Sequence, residues 1–169
     1  MPGSVDIGKD IIAAWLKTRD DVQRIVDFGP GMGTYRKLLG SDYHWTGIEI
    51  WEPYADRYGL MGIYDRMIFG DLRSVDWPEA DLLIFGDVIE HLPKPDALAV
   101  LERTKRYPHV VVSLPLGNWP QGAWEGNPHE EHRSTWTFEE AREALNPQIA
   151  EAIPFHFEGR TAEIGIFIR

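Results

Sequence analysis

The sequence predicts an α/β fold with one doubly wound, seven-stranded sheet, mostly parallel with an antiparallel terminal strand, and helices on both faces. Three observations predict it. Short β-branched runs alternate with amphipathic stretches along the chain, the order that builds a parallel sheet. Asp81-Leu82-Leu83-Ile84-Phe85 is apolar on both faces, as a central strand between two helix layers must be. Glycine closes the first, third and fourth of these runs, at Gly29, Gly70 and Gly86, so the loops along one sheet edge can turn tightly.

Taken in order, Asp6 to Lys17 reads as an amphipathic opening helix with Trp15 in the core. Arg24 to Phe28 is the first strand, running into Gly29-Pro30-Gly31-Met32-Gly33. Thr34 to Leu39 follows as a helix with Gly40 as its C-terminal stop. Trp45 to Ile50 is the second strand, and Pro53 to Tyr58 a short helix that Pro53 can start and Gly59 can end. Met67-Ile68-Phe69 closes at Gly70-Asp71 as the third strand, and Asp81 to Phe85 at Gly86-Asp87 as the fourth. A helix over about Pro95 to Arg106 leads to a fifth strand, His109 to Leu114, stopped by Pro115. The segment 116–136 is aromatic, Gly-, Pro- and His-rich and has no period, so it reads as a substrate lid. Thr137-Phe138-Glu139-Glu140 is a capping box that starts the last helix, which ends before Asn146-Pro147. Ile149 to Glu158 and Thr161 to Arg169 then form a terminal antiparallel pair about a Gly159-Arg160 turn.

Composition narrows the function classes. The 169 residues are expected to form a single domain, residues 1–169. A hydrophobic fraction of 43% and a charged fraction of 26% are those of a packed globular protein. No run approaches the roughly 20 apolar residues of a membrane helix, and Asp6, Lys9 and Asp10 interrupt the first apolar positions, so neither a span nor a signal peptide is expected and the location is cytoplasmic. With no cysteine, disulfides, thiolate metal sites and cysteine nucleophiles are excluded. A net charge of −10 opposes phosphate-backbone binding, which makes nucleic acid an unlikely partner.

Ligands of open α/β sheets bind beyond the carboxyl ends of the strands, and the residues there carry the chemistry. Strand one ends in Asp27-x-Gly29-x-Gly31-x-Gly33, whose glycines let backbone N–H groups approach a ligand without a Cβ in the way. Glu49 follows Asp27 by twenty-two residues (49 − 27), a position suited to the two hydroxyls of a ribose. Asp71 ends strand three and Asp87 strand four, so successive strands deliver acids to one edge. Such a site repels pyrophosphate and suits a ligand with a positive centre, an amino group and a ribose. The loop is GxGxG with Thr34 in place of a third dinucleotide-type glycine, and no Gly-Lys-Ser/Thr tripeptide occurs, so NAD and phosphate-loop ATP binding are disfavoured. A short reductase would need Tyr-x-x-x-Lys, which the chain lacks.

These residues resemble the class I S-adenosylmethionine-dependent methyltransferase family, of Rossmann-like fold, in the branch whose fourth strand runs into an Asp/Glu-x-x-Glu-His-Leu segment. Here that segment is Asp87-Val88-Ile89-Glu90-His91-Leu92, and the likeness extends from about Arg24 to Leu116. It implies a methyltransferase enzyme with S-adenosylmethionine as cofactor. Asp27, Gly29 and Gly31 would contact its methionyl part and Glu49 its ribose, with Gly33 in the same cofactor-binding loop. Asp71 would meet the adenine amino group, with Leu72 on one ring face and Ile50 or Trp51 on the other; Asp87 completes the set. Pro30 departs from the small residue usual in the family and removes one N–H from the loop.

The methyl acceptor is expected to be a small molecule offering O or N, with a homodimer left open. His91, Glu90, His129 and His132 are the candidate catalytic residues, because an unperturbed imidazole titrates near pH ~6.5 and can take a proton. The run Glu130-Glu131-His132-Arg133 otherwise reads as a solvated face. No metal is expected. The alternatives are a metal-dependent O-methyltransferase, including the RNA 3′-end type, which Asp87, Glu90 and His91 with His129 or His132 resemble, and a non-catalytic methyltransferase-like binding module.

Overall fold

In the computed structural model, which describes residues 3–157 and 159–169, seven strands join in one sheet. They are β1 (Arg24–Phe28), β2 (His44–Glu49), β3 (Arg66–Phe69), β4 (Leu82–Gly86), β5 (His109–Leu116), β6 (Ile149–Phe157) and β7 (Arg160–Ile168), in the order β3-β2-β1-β4-β5-β7-β6. The first five run parallel, while β7 is antiparallel to both β5 and β6. The helices are α1 (Lys9–Leu16), α2 (Thr34–Leu39), α3 (Pro53–Tyr58), α4 (Lys94–Arg103) and α5 (Phe138–Leu145).

The two-residue period of the strands sorts the core into two layers. Val26, Phe28, Leu83, Phe85, Val110 and Val112 pack under α4 and α5, with Phe28 and Phe85 stacked at 4.3 Å between ring centroids. Ile25, Leu82, Ile84 and Val111 turn to the other face and meet Ile12, Trp15 and Leu16 of α1, Tyr35 of α2 and Tyr54 of α3. Asp27 shares the parity of Ile25 and is therefore carried into that second layer rather than up to the rim. The helix ends follow local chemistry. Thr137 Oγ1 accepts from the Glu140 N–H at 3.2 Å, and the Glu140 carboxylate accepts from the Thr137 N–H at 2.9 Å, closing the capping box of α5.

Several boundaries differ from those the pattern predicts, those of β2, β3 and β4 by one residue. α1 starts at Lys9, because Gly8 sits at φ 74°, a left-handed residue that cannot continue a helix backwards. β5 continues through Pro115 to Leu116, because β4 has ended by that point and Pro115 faces only Ile164 of β7. α4 is regular to Arg103, and residues 104–106 form a tighter 3₁₀ turn. Thr161 is not the first residue of β7, which begins at Arg160; Glu158, expected in the preceding strand, lies outside the described residues. Among the described residues no helix is long and apolar enough to cross a membrane.

Chain order reverses between β1 and β4. From β1 the strands step outward to β3, and β4 then returns to the other side of β1. The turns leaving these two neighbours diverge, which opens a crevice beyond their carboxyl ends.

Candidate functional site

That crevice is a cleft of about 540 Å³, within the usual range for a small-molecule site. Gly29, Gly31, Glu49, Ile50, Asp71 and Leu72 line one half of it. Asp87, Glu90, His91, His129 and His132 line the other, under Trp119 and Trp124 from the segment after β5. The glycine loop has its predicted form: Gly29, Gly31 and Gly33 hold φ values of 60°, 53° and 75°. A Cβ on Gly29 would lie 2.9 Å from the Val88 side chain, so the β1 turn and the β4 turn touch only because that position is glycine. Gly33 serves as the N-cap of α2 and, like Asp27 and Trp51, is not part of the cleft wall.

The acids part company in environment. Glu49 is 3% exposed, and its two carboxylate oxygens accept from the N–H groups of Trp51 at 2.7 Å and Gly31 at 3.3 Å. Burial pushes its pKa up to about 7 against the pull of those two bonds. Asp71 is clasped by Arg73, whose Nε lies 3.0 Å from each carboxylate oxygen, and this partner holds it below the usual carboxylate range. Asp87 stands at φ 55° and accepts from the Ser113 hydroxyl at 3.0 Å and the Val5 N–H at 3.2 Å. Asp27 accepts from Tyr64 Oη at 2.6 Å beneath the loop, where burial raises its pKa to about 7.

At the other end, a 3₁₀ turn over Ile89–His91 follows β4, and the segment after β5 folds back onto it. The Glu90 carbonyl accepts from the N–H groups of Arg133 at 2.8 Å and Ser134 at 3.0 Å. Gly117 and Trp136 bridge at the base of this segment, and the Trp136 ring is buried, which makes residues 117–136 a tethered cover. His91 Nδ1 lies 3.2 Å from the Glu131 carbonyl, and His132 Nδ1 2.7 Å from the Trp119 carbonyl. The two rings sit edge to face with centroids 4.8 Å apart. Burial lowers the pKa of both histidines, so both are neutral at pH 7. His129 instead packs toward Trp51, 6.1 Å between ring centroids.

Glu90 is 1% exposed, and among the described residues neither of its carboxylate oxygens has a hydrogen-bond partner. Burial, with Asp87 nearby, raises its pKa well above the ordinary value.

The expectation that residues 130–133 are a solvated face fails for Glu130 and His132. Glu130 is half-buried in the cleft and accepts from Tyr54 Oη at 3.0 Å, and His132 lines the same cleft. A charge run on an aperiodic segment looks solvated because nothing local reveals which element covers it. The sequence likewise gave no sign of Lys9, which is 2% exposed, donates to Ser4 Oγ at 2.7 Å and to the Val5 carbonyl, and sits near Asp87.

The buried carboxyls set the pH response of the ligand-free protein. An acid whose folded pKa is raised contributes stability below its unfolded pKa and loses it as pH rises through the folded value. Asp27 and Glu49 both cross near 7. His91 and His132, with lowered values, act only as pH falls below their unfolded pKa near ~6.5. Between pH ~6.5 and ~8 the histidines no longer act, and the titration of Asp27 and Glu49 is expected to cost the ligand-free protein thermal stability across that window. A melting temperature flat or rising from pH ~6.5 to ~8 in calorimetry would contradict this assignment.

No family model matches the chain, and no curated protein matches it. Among solved structures it is similar to the 1,6-didemethyltoxoflavin-N1-methyltransferase of Burkholderia thailandensis, solved with bound 1,6-didemethyltoxoflavin and S-adenosylhomocysteine (TM-score 0.70, 17% identity, 96% of this chain and 76% of that one). It is similar to the N-terminal domain of EvdMO1 in the presence of SAH and D-fucose (TM-score 0.68, 14% identity, 97% and 82%). It is also similar to the magnesium protoporphyrin IX methyltransferase ChlM of Synechocystis PCC 6803 with bound SAH (TM-score 0.68, 16% identity, 95% and 81%). The likeness at these identities is one of fold, and the chain has the class I methyltransferase fold.

Proposed function

We propose that the cleft binds S-adenosylmethionine and that the chain transfers its methyl group to an oxygen or nitrogen of a small-molecule acceptor. One observation carries this reading. The Glu49 carboxylate is held by two backbone N–H groups at the end of β2, in the same cleft wall as the bare backbone of Gly29 and Gly31. Each of its oxygens keeps a lone pair beyond those two bonds, so it can accept from the two hydroxyls of a ribose. The glycine loop beside it offers backbone to the methionyl end. A recess of about 540 Å³ is large enough for an adenosyl ligand and part of an acceptor.

The rest of the wall fits the same ligand. Asp71 stands at the end of β3, able to accept from an amino group while Arg73 keeps it ionised, and Leu72 and Ile50 offer apolar faces for a purine. Asp27 and Gly33, set back from the wall, give the loop its shape. The cofactor when bound supplies a methyl group already activated on a sulfonium, which leaves the protein chiefly alignment and the exclusion of water. The cover at 117–136 closes over the acceptor end with Trp119 and Trp124. There an acceptor hydroxyl must lose a proton, and the groups placed to promote this are Glu90, His91 and His132, with His129 at the border to the adenosyl end.

Calorimetry of the purified wild-type chain with S-adenosylhomocysteine tests the proposal. Binding of one equivalent is expected, with a raised melting temperature; no measurable heat and no thermal shift would end it. A non-catalytic module would bind the same ligand, so turnover with the methyl-labelled cofactor over a panel of hydroxyl and amine acceptors separates the two.

A further inference from the structure

The covered end of the cleft is short of hydrogen-bond donors. Glu90 is 1% exposed, it lines the cleft, and among the described residues neither of its oxygens has a donor. A buried carboxyl in this state costs free energy until a ligand brings a donor to it. The neighbouring histidines bring none. His132 Nδ1 lies 2.7 Å from the Trp119 carbonyl and His91 Nδ1 3.2 Å from the Glu131 carbonyl. A carbonyl only accepts, so each Nδ1 proton is taken up there, and Nε2 of the neutral His132 ring keeps its lone pair. The carbonyls of Asp87 and Glu130 also act on the His91 ring, which adds acceptors rather than donors. One oxygen or nitrogen from each of Glu90, His91 and His132 lies within 4.8 Å of the others.

The cationic side chains of the wall are engaged elsewhere. Arg73 pairs with Asp71 and Asp96, and Arg133 with Glu131. Glu49, Asp71, Asp87, Glu90 and Glu130 line the cleft against these two arginines, so its field favours a positive ligand. Beside the polar cluster the wall is flat and apolar. Trp119 of the cover and Phe155 of β6 stack at 5.7 Å between ring centroids, 29° from parallel, and Pro115 and Ile164 line the same cleft. The Trp119 carbonyl is the acceptor for His132, so the aromatic wall and the cluster at Glu90 meet at one residue.

We infer that the methyl acceptor is a primary amine on a flat apolar body, its ammonium held by Glu90 beside His91 and His132 and its body laid against Trp119 and Phe155. An ammonium carries three donors and a positive charge, the two things this end of the cleft lacks. Beside it Glu90 is held in the charged form that burial otherwise opposes. A planar body gains the offset stacking that aromatic faces favour. The transfer balances. The ammonium gives one proton to His132 Nε2, and the freed lone pair on nitrogen forms the nitrogen–carbon bond as the sulfur–carbon bond breaks. The electron pair of the broken bond stays on sulfur, the product leaves as a secondary ammonium, and His132 returns its proton to water.

The inference rests on the proposed function for the transfer itself, and its test separates the two. Wild-type protein kept in a chelator is titrated calorimetrically with phenethylamine, with its hydroxyl counterpart phenethyl alcohol and with ethylamine, each with and without saturating S-adenosylhomocysteine. Phenethylamine is expected to bind. The alcohol lacks the charge-assisted bonds and ethylamine lacks the ring, so both should bind at least about tenfold more weakly. Glu90→Gln should weaken phenethylamine by more than about tenfold and leave S-adenosylhomocysteine binding unchanged; should that variant not fold, the three ligands on wild type still decide. No binding of phenethylamine, or equal binding of the alcohol or of ethylamine, would overturn the inference. So would Glu90→Gln binding the amine as tightly as wild type, or an alcohol that outbinds the amine once a divalent cation replaces the chelator. Glu90→Gln that loses S-adenosylhomocysteine instead of the amine would assign Glu90 to the cofactor's own ammonium and overturn it as well. S-adenosylhomocysteine bound without the amine overturns this inference alone, whereas amine bound through Glu90 without S-adenosylhomocysteine supports the amine seat and overturns the cofactor reading alone.

Discussion

Glu49→Ala is expected to weaken S-adenosylhomocysteine binding by at least about 100-fold, the largest loss of any single side chain in the cleft. Hydrogen bonds to a charged partner contribute about 1.5–3 kcal/mol each, and a carboxylate that takes both ribose hydroxyls makes two of them. A loss of about 3 kcal/mol is then the lower end, and about 1.4 kcal/mol corresponds to tenfold. The substitution has a second consequence that works in the same direction. The N–H groups of Gly31 and Trp51 lose their acceptor, and they belong to the loop and the strand end that shape this end of the cleft. Glu49→Gln keeps one acceptor oxygen and so should fall between wild type and Glu49→Ala. Calorimetric titration of the three proteins at pH ~8, above the folded pKa of Glu49, reads the series directly. Equal affinity for wild type and Glu49→Ala would remove ribose from this position and with it the main support for the cofactor.

The half of the cleft lined by the glycine loop was legible in the sequence and the half under the cover was not. Glycines and acids at strand ends are fixed by short local patterns: a β-branched run, a stop, an acid, a turn. Gly29, Gly31, Glu49 and Asp71 could be placed on one edge because a parallel sheet leaves few alternatives for where successive strands end. The same patterns did not show that Asp27 stands outside the cleft wall. It lies one residue before the end of β1, and the two-residue period turns it under the loop toward Tyr64, as strand parity over Arg24 to Phe28 requires. The covered half depends on contacts between elements far apart in the chain. Tyr54 of α3 meets Glu130 of the cover across 76 positions, and the cover meets the Glu90 carbonyl across more than forty, from Arg133 and Ser134. No period marks the segment 117–136, so its docking, and the pairing of His91 with His132, follows from tertiary packing alone.

The second large effect concerns Gly86, where the core meets the floor of the cleft. Gly86 ends β4 opposite Ser113 of β5, and its parity puts any side chain on the face of Leu82 and Ile84. That space is taken. A Cβ built there lies 2.0 Å from Cε2 of Tyr35, a ring that is itself 2% exposed. The ring cannot swing aside cheaply, because its hydroxyl donates to Ser113 Oγ at 3.1 Å and Lys9 Nζ stands 5.0 Å from its centroid. Ser113 in turn donates to Asp87 at 3.0 Å, so displacing Tyr35 also disturbs a cleft residue. Overpacking of a filled core costs about 1–3 kcal/mol and sometimes more; Gly86→Ala is expected at the upper end, lowering the melting temperature by on the order of 10 °C. The collision should also show as non-additivity. In a cycle with Tyr35→Leu, which removes the obstructing ring edge, the double variant should be markedly more stable than the sum of the two single losses allows. Gly86→Ala melting with wild type would mean that Tyr35 is not seated beneath β4, and additive losses in the cycle would mean that its ring is not what forbids a side chain there.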